Sequence, residues 1–200
     1  MLLDADECQL VLVDYQGRLM PAIHEGGAVV HNAYRMARIA AALGVPVWGT
    51  EQNPEGLGEN PPELKALCRK TLAKMHFSAC ADGLVELLRP PAKAPSGNAR
   101  SLPKHLQKSQ PEAELRSLIV IAGCEAHVCL LQTALDLLEE EFEVWVVTDA
   151  CSSRTERNRD AAFDRLAGAG CELVTTEMVA FEWLRTAEHP QFKEVLGLVK

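Results

Sequence analysis

The sequence predicts an α/β fold, a parallel sheet with helices on both faces. Three observations carry this. Short apolar runs alternate with helical patterns along the chain. The apolar runs are nearly continuous, as in strands buried on both faces. Helix stop and start signals fall between them, such as Gly44 after the first helical pattern. Such alternation stacks into three layers, α/β/α, joined by right-handed crossovers.

The elements follow in order. CQLVLVD is a first strand ending at Asp14. GGAVVHNAYRMARIAAALG is an amphipathic helix, and VPVWGT a second strand. RKTLAKM is a third strand and ACADGLVELLR the helix after it. RSLIVIAG is a fourth strand, AHVCLLQTALDLLEEE its helix, and EVWVVTDA a fifth strand. SRTERNRDAAFDRLAGAG is a helix, with Ser153 and Glu156 spaced as a capping box. CELVTT is the last strand and EMVAFEWLR a terminal helix. Residues 1–200 read as one domain. Its one irregular segment, 89–111, is rich in Pro, Ser and Lys and lacks acids. It reads as a solvated excursion, or as an arm reaching over a pocket of this or a neighbouring subunit.

The formal net charge of -8 argues against nucleic acid or an anionic membrane surface as partner. The longest apolar region, Leu118 to Leu138, is interrupted by Glu125, His127, Gln132 and Asp136, a poor membrane span. The acidic start MLLDADECQL does not resemble a secretion signal. Seven cysteines without framework spacing fit free thiols in a reducing cytoplasm.

In an open α/β sheet, ligands sit beyond the carboxyl ends of the strands. Asp14, the Thr50–Gln52 segment, Lys74, the Cys124–Cys129 segment and the Asp149–Ser153 segment all end strands. A carboxylate, an ammonium and a thiol thus converge on one edge. Cys129 falls in a first helical turn, where free N–H groups would draw a thiol from about 8.5 to roughly 7 or below. Asp14 suits a general base, and Lys74 suits a charge holder. N–H groups between Glu125 and Cys129 suit an oxyanion hole.

Each residue has a plainer reading as well. A lone free cysteine usually packs, a strand-end Asp usually caps, and a lone Lys is usually solvated. Gln16 and Gln52 could donate amide hydrogen bonds to a substrate or simply hold loops. Phe77 and Met20 could wall an apolar pocket or belong to the core. His127 lies two residues from Cys129, on another helix face, so it should point away or line the rim. Cys124, Glu125, His127 and Cys129 lack the paired spacing of a structural zinc site.

The segments LVLVDYQGRL, VPVWGTEQNPEGLG, KMHFSAC, AGCEAHVCLLQTALDLL and VWVVTDACSSR resemble the isochorismatase-like cysteine hydrolases. The likeness is greatest to the isochorismatase domain-containing and YcaC-like branch. It covers most of the chain outside 89–111. It implies a six-stranded, mostly parallel, Rossmann-like sheet and an Asp14–Lys74–Cys129 triad. It also implies a cis peptide between Cys124 and Glu125, aiming the Glu125 and Cys129 N–H groups at an oxyanion. In that family the cysteine attacks a carbonyl or nitrile-type carbon, an amine or ammonia leaves, and water releases the acid.

Two departures narrow the substrate. Nicotinamidases carry an Asp-x-His metal motif where this chain has Glu51, Gln52 and Asn53, so neither metal nor cofactor is expected. Isochorismatases proper lack the nucleophilic cysteine. The sequence therefore points to a metal-independent cysteine hydrolase acting on a small C–N, amide-type substrate. The competing reading is a thiol redox sensor or small-molecule binding protein on the same scaffold. Family resemblance also implies a homo-oligomer, whether dimer, tetramer or larger ring.

Overall fold

The computed structural model describes residues 1–89 and 116–200. Segment 89–111, apart from Arg89, lies outside the described residues. Six strands form one sheet: β1 (Cys8–Val13), β2 (Val47–Gln52), β3 (Lys70–Lys74), β4 (Leu118–Gly123), β5 (Glu143–Val147) and β6 (Glu172–Val174). Their order is β3-β2-β1-β4-β5-β6. Every adjacent pair is parallel, so the sheet is wholly parallel where the sequence implied mostly. Every residue of β1 and of β4 is buried, which is why β4 reads as an unbroken apolar run and β1 as one interrupted only by Gln9, whose amide donates to the Leu88 and Arg116 carbonyls.

Five longer helices cover the sheet: α1 (Gly26–Ala42), α2 (Leu131–Glu139), α3 (Glu156–Ala169), α4 (Thr176–Leu184) and α5 (Phe192–Val199). From β1 the chain steps one way along the sheet through α1. From β4 it steps the other way through α2 and α3. Right-handed crossovers therefore place α1 on one face and α2 and α3 on the other. The chain's end brings α4 and α5 back against α1. Helix α1 buries Val29, Ala33, Met36, Ala37 and Ala40 along one stripe and stops at Gly44, whose φ is +73.

The local expectations fail in four places. The helix predicted at ACADGLVELLR is a short 3-10 turn at Cys80–Asp82 and a helix at Leu84–Leu88, parted by Gly83 at φ +99. Helix α3 is capped by Thr155, whose side chain accepts from the Asn158 N–H; Ser153 lies outside it. The Thr is the residue with extended backbone just before the first helical turn, which is what a cap requires. Helix α5 was not predicted. Finally, the turn before α2, Ala126–Leu130, is a π-helix rather than α.

The sheet reverses direction between β1 and β4, and that crevice is the topological switch point. Gly123 makes the close approach there. A Cβ on it would run into the Val13 carbonyl oxygen and the Val13 Cβ. Gly123→Ala is therefore expected to lose about 1–3 kcal/mol by overpacking and to spread the two strand ends that carry the site. A urea midpoint equal to wild type would contradict this.

Candidate active site

Asp14 follows β1 directly, wholly buried, with φ at +55. A non-glycine residue there costs roughly 1–3 kcal/mol and persists only where its surroundings fix it. Here the Thr50 hydroxyl donates to Asp14 Oδ1 at 2.7 Å. Thr50 stands beside Val13 in the β1–β2 register, so the strand pairing delivers this bond. Asn60 in turn donates from Nδ2 to the Thr50 carbonyl at 2.9 Å.

Lys74 closes β3 and its side chain is also buried. Its Nζ is 2.8 Å from Asp14 Oδ2. The ammonium's hydrogen bonds go elsewhere: to Gln52 Oε1 at 2.6 Å, the Phe77 carbonyl at 3.0 Å and the His76 carbonyl at 3.4 Å. Lys74 and Asp14 thus form an ion pair by distance without hydrogen-bond geometry. Oδ2 has no hydrogen-bond partner among the described residues.

Cys129 sits in the π turn, and its thiol is 3.8 Å from Gln52 Oε1. Asp14 and Lys74 both act on the sulfur. The expected lowering of this thiol does not occur. Burial pushes it up to about 12, the Asp14 charge adds to the rise, and Lys74 opposes it. Removal from water and the Asp14 charge together outweigh the Lys74 ammonium, so the resting group is a thiol.

The remaining expected residues divide. The Cys124–Glu125 peptide is cis. The Cys124 N–H bonds to the Val13 carbonyl, and Ala126 N–H to Ser152. The Glu125 N–H has no backbone acceptor among the described residues, while the Glu125 carboxylate pairs with Arg154 at 3.0 Å. His127 faces α3, with Nδ1 2.9 Å from Ser153 Oγ and Nε2 3.3 Å from Asn158. Gln16 is wholly buried. Its amide donates to the Gln52 and Gly58 carbonyls and accepts from the Gln52 N–H at 2.8 Å. Both amide protons are thus engaged by backbone, and Gln16 has none to offer a substrate. Phe77 is 53% exposed and serves Lys74 through its carbonyl at 3.0 Å. Met20 lies half-buried against the core.

Glu51 is also committed. Its Oε1 accepts from Asn60 N–H at 2.8 Å and pairs with Lys65 at 3.2 Å. Among the described residues no three His, Cys, Asp or Glu side chains gather as metal ligands. No described helix is long and apolar enough to cross a membrane. Sequence reasoning missed the parts of Thr50 and Asn60 in holding Asp14. The available signal was a hydroxyl residue ending β2 beside the strand that Asp14 ends.

Comparison with known proteins agrees with this fold. The family model for the isochorismatase domain matches residues 8–178. Isochorismatase domain-containing protein 2A of Mus musculus is 36% identical over 191 residues, covering 96% of this chain and 82% of the mouse protein. The Pongo abelii isochorismatase domain-containing protein 2 is 38% identical over the same shares. Among solved structures, the MAR1 ribonuclease of Caenorhabditis elegans superposes with a TM-score of 0.83 at 29% identity, covering 100% of this chain and 92% of that one. YcaC of Pseudomonas aeruginosa, solved with hexane-2,5-diol and covalent acrylamide, gives 0.81 at 25%, covering 98% and 91%. YcaC of Escherichia coli, described as an octameric hydrolase of unknown specificity, gives 0.79 at 25%, covering 98% and 95%. With a wholly parallel sheet of this order and a domain match over residues 8–178, this chain belongs to the isochorismatase family.

Proposed function

We propose that this protein is a metal-independent cysteine hydrolase that cleaves a small amide-type C–N bond through a covalent acyl-enzyme. Family membership supports a hydrolase function. The observation that carries the finer reading is the gathering of Asp14, Lys74 and Gln52 at the Cys129 thiol. The side chains that would have to supply a nicotinamidase-type metal site after β2 are engaged otherwise, Glu51 with Asn60 and Lys65, and Gln52 with Lys74.

In this reading Asp14 takes the thiol proton as the sulfur attacks the carbonyl carbon. The carbon–sulfur bond forms and the carbonyl electron pair moves to oxygen, which the Glu125 and Cys129 N–H groups receive. Collapse breaks the C–N bond, and the proton on Asp14 passes to the leaving amine. A water molecule, deprotonated by Asp14, then attacks the thioester. The C–S bond breaks, the acid departs, and the proton held by Asp14 returns to the sulfur, restoring carboxylate and thiol. Lys74 balances the negative charge that passes between Asp14 and sulfur. The covalent acrylamide on P. aeruginosa YcaC supports a reactive nucleophile on this scaffold. The test is intact-mass and peptide analysis of the protein after brief exposure to a panel of small amides. An acyl mass on the Cys129 peptide is expected. Amine release without any Cys129 adduct, undiminished in Cys129→Ala, would sink the proposal.

The net charge of -8 weighs against a nucleic-acid substrate of the kind the C. elegans protein's name carries. Seven free thiols suit a reducing cytoplasm. The protein assembles with itself in this reading. Met75, Phe77, Met178 and Phe181 are exposed apolar side chains, and the E. coli neighbour is octameric. Light scattering should give a mass above the 21.9 kDa of one chain; that mass alone would refute assembly.

A further inference from the structure

We propose that Gln52 is a positioning residue of this site: its Oε1 tethers the Lys74 ammonium and accepts the proton of the resting Cys129 thiol. The inference rests on the reading of Cys129 as nucleophile. It assigns Gln52 work on the protein's own groups rather than on a substrate.

The orientation of the amide is fixed by its partners. An ammonium only donates and a carbonyl only accepts. The oxygen of Gln52 must therefore face Lys74 Nζ, at 2.6 Å, and its nitrogen the Met75 carbonyl, at 2.8 Å. The same oxygen receives the Cys129 thiol at 3.8 Å. The backbone of Gln52 is fixed as well. Gln16 accepts from its N–H at 2.8 Å and donates to its carbonyl at 2.9 Å. Gln52 and Lys74 are register partners at the ends of β2 and β3, so strand pairing sets the tether.

Two consequences follow for the chemistry. An acceptor aimed at S–H favours the thiol over the thiolate. The Lys74 contact holds the ammonium at the oxygen that also faces the sulfur, where its charge favours a thiolate once formed. Neutrality at position 52 matters because Asp14 and Lys74 already cancel. A carboxylate there would leave the buried cluster with a net negative charge and raise the cost of the thiolate.

The test needs no substrate. The rate of Cys129 alkylation by iodoacetamide is measured peptide by peptide from about pH 7 to about pH 10, the range over which thiols ordinarily begin to ionise. Below its titration midpoint a thiol reacts in proportion to its thiolate fraction, so moving that midpoint by about one pH unit changes the rate about tenfold. Gln52→Glu is expected to slow Cys129 about tenfold at each pH. Gln52→Met, of similar length but without the acceptor, is expected to speed it about 3- to 10-fold. Buried Cys124 reports opening of the fold, and its rate should stay at the wild-type value in both variants. The proposal is overturned if both displacements share a sign, if both lie within about twofold of wild type, or if Cys124 accelerates together with Cys129. Failure of the hydrolase reading looks different: amide turnover is absent while the opposite alkylation changes remain.

Discussion

Cys129→Ala is expected to lower turnover of a true amide substrate by about 10⁴-fold or more, because removing the group that forms the covalent bond removes the route itself. The loss should fall on kcat, with the acyl mass absent from the peptide. The fold should survive, since trimming one sulfur from the turn leaves only a small space. Cys171→Ala, at the far end of β6, is the control and should keep wild-type turnover. Residual activity within about tenfold of wild type in Cys129→Ala would remove the cysteine from the mechanism. The pH profile adds a second check. With burial pushing the thiol up to about 12, deprotonation must accompany attack. The rate should therefore follow the base and show no thiolate plateau near neutrality.

The second large effect is on stability. Asp14 and Lys74 are both removed from water. Breaking such a pair by deleting one member strands the other charge, at a cost of about 3–5 kcal/mol. Lys74→Met should lower the unfolding free energy by that amount in urea. Asp14→Asn alone should also destabilise. It leaves the ammonium its three oxygen acceptors, Gln52, Phe77 and His76, so its loss should be the smaller. The double variant should recover part of the sum, with a coupling well beyond the roughly 0.5 kcal/mol expected of independent sites. Simple additivity would mean that the two charges do not compensate each other in the fold.

The helix face and the strand ends were legible in the sequence because they depend on local pattern. Nearly continuous apolar runs required strands covered on both faces, and β1 and β4 are such strands. The spacing in GGAVVHNAYRMARIAAA set the buried stripe of α1, and Gly44 set its end. The placement of Asp14, Lys74 and Cys129 at strand ends followed from the same runs, and the rule about carboxyl ends gathered them on one edge.

What the sequence could not determine were distances, burial and the competition for hydrogen bonds. Gln16 reads as a donor at a strand end, but the backbone of Gln52 and Gly58 takes both of its amide protons. Phe77 reads as a pocket wall by its ring; the structure adds its carbonyl as an acceptor for Lys74, which no sequence pattern signals. A helix start suggested a lowered thiol for Cys129, while burial, a property of the assembled sheet, raised it. The sequence by itself determined which groups end the strands, because periodicity and turn chemistry are written in neighbouring residues. Only the tertiary structure decided how those groups pair. Asp14 and Cys129 are 115 positions apart in the chain, and it is the adjacency of β1 and β4 and the register of β2 with β3 that set Lys74 against both carboxylate and amide, with the thiol on the same amide oxygen.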